Sequence, residues 1–268
     1  METEIRENTA TKESWSVVHP LSREDSAAMT GLRSAVAGMK GKLEGVAARG
    51  PFDGIMERVA APGGVRFEAD TVGGISGLWA RPTQGRKEAA ILHLHAGWFK
   101  WGTASAFRNL VGHIATGAGL DAFIPDYRLA PEHPFPAAVK DAEACYRGLV
   151  DRGIKRIAIT GDSAGGNLAL VPLSVATAQA GSAGIAPEGA VVLSPVTDLA
   201  LTGESFETRA EADPFFVRPQ VAGLVRSYLG KSDPKNPLAS PLYENLAGLP
   251  PVRVHVGDDE VLLDDSRR

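Results

Sequence analysis

A single cysteine, Cys145, stands among the 268 residues, so no disulfide can form within the chain and no cysteine cluster can hold a metal. It lies between Ala144 and Tyr146 in a helical stretch and reads as an inert core thiol. Residues 1–16 lack an apolar run, mixing Glu, Thr, Lys and Asn, which excludes a signal peptide or anchor there. A cytoplasmic protein with no membrane partner is the expectation. Nor is there an excess of positive charge: Lys and Arg number 28 against 32 Asp and Glu, a formal net charge of -4. Without a basic stripe to neutralise phosphates, nucleic acid is not an expected partner. What remains is ordinary globular composition, 44% hydrophobic and 22% charged, enough for one large domain or a domain with a cap.

The chain opens with a polar stretch to about residue 20, after which Met29, Leu32, Val36, Met39, Leu43 and Val46 recur at steps of three and four. That spacing predicts one long helix with a single apolar stripe, a core-facing element or a cap over a pocket. Gly31, Gly38, Gly41 and Gly45 lie within it, each costing about 1 kcal/mol relative to Ala, so packing must hold it. Beyond Pro51 the pattern changes. Strand signals fall at 65–69, 75–80, 89–94, 120–125, 156–160, 190–194 and 252–256, and helical separators at 104–116, 136–151, 167–180 and 219–229. Early strands able to pair as a meander, then strict alternation, predict an α/β fold with a mostly parallel central sheet flanked by helices.

Two segments carry chemistry. Gly161-Asp162-Ser163-Ala164-Gly165-Gly166 directly follows the strand signal at 156–160 and precedes a helix. A serine at the apex of a sharp strand-to-helix turn sits in strained backbone and needs small neighbours, which Gly161, Ala164 and Gly165 are. The turn aims the helix N-terminus at a reacting carbonyl, where the Ala164 amide can hold an oxyanion. Upstream, His93-Leu94-His95-Ala96-Gly97-Trp98-Phe99 ends the strand signal at 89–94. His93 and His95 share a strand face, but no carboxylate or third histidine is close enough in sequence to complete a metal site, and no metal is expected.

The second segment resembles the His-Gly-Gly-Gly signature of the hormone-sensitive-lipase-like carboxylesterases and lipases, bacterial family IV of the α/β-hydrolase fold. His95 stands for the histidine and Ala96, Gly97 and Trp98 for the glycines. The run from Asp126 through Tyr127, Arg128, Leu129, Ala130, Pro131 and Glu132 to Ala137 is similar to a further hallmark of that family. The resemblance implies an α/β-hydrolase core over 51–268, an N-terminal cap over 1–50 and a second cap segment at about 199–229. It implies Ser163 as nucleophile and an oxyanion hole of Gly97, Trp98 and Ala164, with no cofactor. His95, Asp126, Arg128 and Glu132 would brace loops. Trp98 departs from the pattern: any residue but proline brings the amide, yet tryptophan adopts positive φ less cheaply than glycine and its indole takes space beside the carbonyl.

After the last strand signal comes the acidic run Asp258, Asp259, Glu260, with Leu262 and Asp264 beyond. Laid on the family's Asp-Pro-Leu-x-Asp motif, Leu262 and Asp264 put Glu260 in the position of the triad acid, with Asp259 and Asp258 as alternatives. Glutamate suffices, since the acid orients an imidazole and stabilises its charge. The base should follow the acid along the chain, yet none of the six histidines (His19, His93, His95, His113, His133, His255) does. His255 lies in a strand signal and reads as packing. Against the family pattern the chain looks C-terminally truncated, lacking a last strand and helix, with a homodimer expected only of a full-length form. The function expected is a serine carboxylesterase cleaving short-acyl esters through an acyl-enzyme. The pocket would be lined by the N-terminal helix, Trp98, Phe99, Trp101 and residues near Phe206, Phe215 and Phe216. Rivals on the same scaffold are a non-catalytic small-molecule-binding protein and a lactonase or amidase.

Overall fold

A computed structural model describes residues 5–7, 15–179 and 185–268. In chain order the elements are β1 (Ile5–Glu7), β2 (Trp15–Val17), α1 (Arg23–Val36), α2 (Arg49–Met56), β3 (Val65–Val72), β4 (Ile75–Pro82), β5 (Arg86–Leu94), α3 (Ala104–Ala118), β6 (Leu120–Pro125), α4 (Ala137–Asp151), β7 (Arg156–Asp162), α5 (Ala164–Gln179), β8 (Gly189–Leu193), α6 (Ser205–Thr208), α7 (Arg218–Leu229), β9 (Val252–His255) and α8 (Leu263–Arg267). Short 3-10 turns lie at Val46–Ala48 and Pro241–Tyr243. β1 and β2 pair with each other, and the other seven strands form one sheet in the order β3-β4-β6-β5-β7-β8-β9.

β3 and β4 form an antiparallel hairpin in which Val72 pairs with Ile75 across Gly73 and Gly74, both at positive φ as such a two-residue turn requires. β4 pairs antiparallel with β6, and from β6 to β9 every pairing is parallel. Parallel neighbours need crossovers, supplied in turn by α3, α4 and α5. The central strands are correspondingly apolar on both faces, with Ile91, Leu92, Ile157 and Ile159 buried. β5 passes its chain to one side, to β6, and β7 passes it to the other, to β8. Their carboxyl ends flank the point where the strand order reverses, where open α/β sheets form a ligand crevice. β9 is the outer strand among the described residues, with all four of its residues exposed.

The long N-terminal helix expected through Val46 is not what the chain forms. α1 begins at Arg23, where the Ser22 hydroxyl accepts from Asp25 N, and ends at Val36. Residues 37–42 are turns and 43–44 irregular, and Gly41 and Gly45 take φ of 72° and 61°, backbone that a continuing helix could not hold. Of the stripe, Val36 and Leu43 are buried while Val46 is exposed. α2, which the sequence reading passed over, seats Phe52 against Trp101 and Phe107.

α8 anchors the chain to the loop after β8. Asp265 is buried, and its Oδ2 accepts from the amides of Thr197 (2.8 Å) and Asp198 (3.0 Å). Burial pushes its carboxyl up to about 7, against the pull of those two amides. The folded chain therefore keeps a proton that the unfolded chain has already released, and this group makes stability fall as pH rises from about 4 to about 7, levelling off above. Urea midpoints at pH 5 and pH 7.5 should show that loss, on the order of 2 kcal/mol. Asp265→Asn keeps an acceptor for both amides and should flatten the profile; an unchanged slope in the variant would assign it to other groups.

Candidate active site

Ser163 is the first residue after β7 and adopts φ 54°, left-handed backbone that a non-glycine residue enters only under constraint. The constraint is local hydrogen bonding. Ser163 N donates to the Leu193 carbonyl (2.8 Å), and the Ser163 carbonyl accepts from Asn167 N (3.2 Å) and Val196 N (3.1 Å). Gly165 leaves no room for a side chain: a Cβ there would lie 1.9 Å from the Leu94 carbonyl oxygen and 2.6 Å from that of His95. The Ser163 turn thus rests directly on the end of β5 and the loop that follows it. Gly165→Ala should cost about 3 kcal/mol or more, the upper range for overpacking, because what must yield is backbone. Its urea midpoint against wild type checks this.

Gly97 takes φ 123° and Trp98 φ 53°, and the Gly97 carbonyl accepts from Lys100 N and Trp101 N (2.9 Å each). The amides of Gly97, Trp98 and Ala164 have no acceptor among the described residues. Two come from the end of β5, the third from the first residue of α5, where helix geometry leaves amides unpaired. Neighbouring strand ends and the Gly165 contact bring both sources to one place.

His95 lies wholly inside. Its ring stacks on Tyr127 (centroids 4.2 Å apart) and on Phe107 (5.3 Å), its Nδ1–H donates to the Ala96 carbonyl (2.8 Å), and Tyr127 OH donates to the His95 carbonyl (2.7 Å). Burial pushes its pKa down to about 4, so the ring is neutral. Asp126 accepts from Ala104 N at the start of α3 (2.7 Å), Arg128 grips Asp141 of α4, and Glu132 accepts twice from Arg49 of α2.

The three consecutive carboxylates part company. Asp258 is exposed beside Arg209 and Arg267, and Asp259 is exposed and paired with Arg33 of α1 (2.6 Å). Glu260 is half-buried and accepts from Gly257 N (2.8 Å). Burial and the nearby charge of Asp213 raise its pKa. Ser194 follows Leu193, the residue whose carbonyl holds Ser163 N.

The remaining histidines stand elsewhere. His255, on β9, pairs in register with Leu193 of β8, which neighbours Asp162 of β7, so it is two strand spacings from the nucleophile's strand, roughly 10 Å. His93 faces Thr160 Oγ1 (2.9 Å) and Asp162 (3.5 Å), and His113 donates to the Ala60 carbonyl. No histidine ring makes a hydrogen bond to Ser163 or Glu260.

Asp213 is a residue the sequence reading missed. Its Oδ1 accepts from Phe215 N and Phe216 N (2.8 Å each) and its Oδ2 from Val261 N (3.0 Å), tying the loop before α7 to the one that carries Glu260. The Asp-Pro turn signal was visible, but not the long-range partner. The same loop is held from the other side: Lys40 donates to the carbonyls of Ala210 and Glu211, Gly41 N to that of Phe215, and Arg33 to that of Ala212. Of the aromatic residues expected around a pocket, Trp98 meets Phe216 edge-on (5.6 Å). Phe99 stacks on Tyr228 (3.8 Å), and Trp101 donates to the Gly45 carbonyl and packs on Phe52.

Residues 91–268 match the family described as α/β hydrolase fold. An acetyl-hydrolase of Streptomyces hygroscopicus is 39% identical over 199 residues, 74% of this chain and 65% of that protein. A solved esterase/lipase from an uncultured bacterium is 39% identical with a TM-score of 0.79, covering 89% of this chain and 81% of its own. A mutant of the esterase E40 superposes with a TM-score of 0.83 at 36% identity, covering 92% and 83%. The chain spans about two thirds or less of the length of the curated relatives it matches.

Proposed function

The chain belongs to the α/β-hydrolase family, in its hormone-sensitive-lipase-like branch, and we propose that it is a serine carboxylesterase cleaving short-acyl esters through an acyl-enzyme. Ser163 Oγ attacks the ester carbonyl, the Gly97, Trp98 and Ala164 amides hold the oxyanion, and Glu260 orients an imidazole that takes the serine proton. The observation that carries this is the trio of unpaired amides beside a serine held at positive φ. A scaffold that merely buried this turn would leave no reason for three donors to stay unpaired. The substrate is a small ester, no cofactor is called on, and residues 1–50 with about 199–229 serve as the cap. The contacts of Arg33, Lys40 and Gly41 with residues 210–215 support that division. A cytoplasmic location belongs to the same reading; among the described residues no helix is long and apolar enough to cross a membrane.

A fluorophosphonate probe tests the nucleophile. Incubated with the protein in the presence of imidazole, it should label the peptide that contains Ser163, and Ser163→Ala should not be labelled. Equal labelling of both would overturn the assignment. One observation favours the non-catalytic reading instead: no histidine stands at Ser163. The two separate on product, because a binding protein releases no acid from an ester it retains.

A further inference from the structure

Trp98 is held at a cost that the fold does not explain. Its φ of 53° is the left-handed region in which an L side chain crowds the backbone, and a glycine there would be free of that strain. Its side chain is buried, with a relative exposure of 1%, yet the indole Nε1–H is buried without an acceptor. A strained, unsatisfied, fully buried tryptophan at a functional turn points from the outlier to a role. The backbone amide of the same residue is one of the three left unpaired around Ser163, so the side chain springs directly from the Cα of an oxyanion donor. Its ring meets Phe216 edge-on, and Phe216 is fixed through Asp213 to the loop that carries Glu260. The indole is therefore walled in between the oxyanion loop and the cap segment at 211–217.

We propose that Trp98 closes the acyl side of the Ser163 site, so that the site accepts acyl groups of two or three carbons and rejects longer straight chains. The proposal rests on the esterase reading above and names the residue that sets its substrate class. The features that make Trp98 costly also make it replaceable. Trp98→Gly relieves the backbone, keeps the oxyanion amide, and orphans no acceptor, because the indole N–H has none. What it opens is an apolar slot beside the carbonyl.

Linear alkylboronic acids test this without demanding turnover, since the alkyl group stands in for the acyl chain. Boron takes a bond from Ser163 Oγ, the serine proton goes to the buffer, and the amides receive a boronate oxygen. Dissociation constants for ethyl, butyl, hexyl and octyl boronic acids are measured calorimetrically at pH 8 for wild type, Trp98→Gly, Trp98→Leu and Ser163→Ala. In wild type the ethyl compound should bind at least tenfold tighter than the octyl. In Trp98→Gly the order should reverse, with affinity rising about fourfold for each methylene the slot takes in. Trp98→Leu should lie between, and serves if the glycine variant does not fold. A wild type that binds octyl as well as ethyl, or variants that keep the wild-type order, overturns the role of Trp98. Binding that survives Ser163→Ala, or no binding by any protein with Ser163, instead overturns the esterase reading on which it rests.

Discussion

Residues 1–268 are expected to hydrolyse p-nitrophenyl acetate on the order of 10⁶-fold more slowly than an esterase with a complete triad in the same assay, and added imidazole should restore part of the loss. The reason is the geometry around Ser163. Its backbone is held at positive φ and the Gly97, Trp98 and Ala164 amides are unpaired, yet the ring of His255 is on the second strand over, that of His95 is neutral and stacked on Tyr127, and His93 is turned to Thr160. Without a base the hydroxyl is a weak nucleophile at neutral pH, and loss of the triad histidine in a serine protease costs on the order of 10⁶ in kcat. The expectation is that imidazole from solution stands in for the missing base at Ser163. Its own reaction with the ester is subtracted by running Ser163→Ala alongside, and the excess over that blank should vanish in the variant. Ordinary enzyme rates without imidazole would show that one of the six histidines reaches Ser163 and that the account of the base is wrong.

Glu260→Gln should remove most of that imidazole-dependent excess, by roughly 10²-fold to 10⁴-fold, whereas Asp259→Asn should leave it within about threefold. Glu260 is half-buried and held by the Gly257 amide, and a carboxylate so held can fix an imidazole and stabilise its positive charge. A neutral amide at that position supplies neither the charge nor the right acceptor. Asp259 sits outside, in an exposed bridge to Arg33 that is worth at most about 1 kcal/mol, so its loss loosens α1 without touching the chemistry. The opposite ranking would move the acid one residue back along the chain.

Much of this site is legible in the sequence because its parts are local. The glycines and alanine around Ser163 announce a turn that only small residues can make, and the contact of Gly165 with the Leu94 carbonyl shows how little space is there. Apolar strand signals placed the sheet strands to within a few residues, since a buried parallel strand must be apolar on both faces. The N-terminal helix failed for an equally local reason: the stripe of Met39, Leu43 and Val46 was given more weight than the glycines, and the helix ends at Val36, before Gly38 and before Gly41 and Gly45, which take positive φ. The partners of Trp101 were not legible either, because an indole can meet many neighbours and only the fold brings Phe52 and the Gly45 carbonyl to it.

The sequence by itself therefore determined the α/β alternation, the apex position of Ser163 and the loop that bears Gly97 and Trp98, all properties of short segments whose backbone has few alternatives. The tertiary structure decided which of three adjacent carboxylates is half-buried, which partners the histidines meet and which aromatic residue packs on Phe216. Those choices turn on contacts between residues far apart in the chain, such as Arg33 with Asp259 and Asp213 with Val261, and on burial that no local pattern encodes.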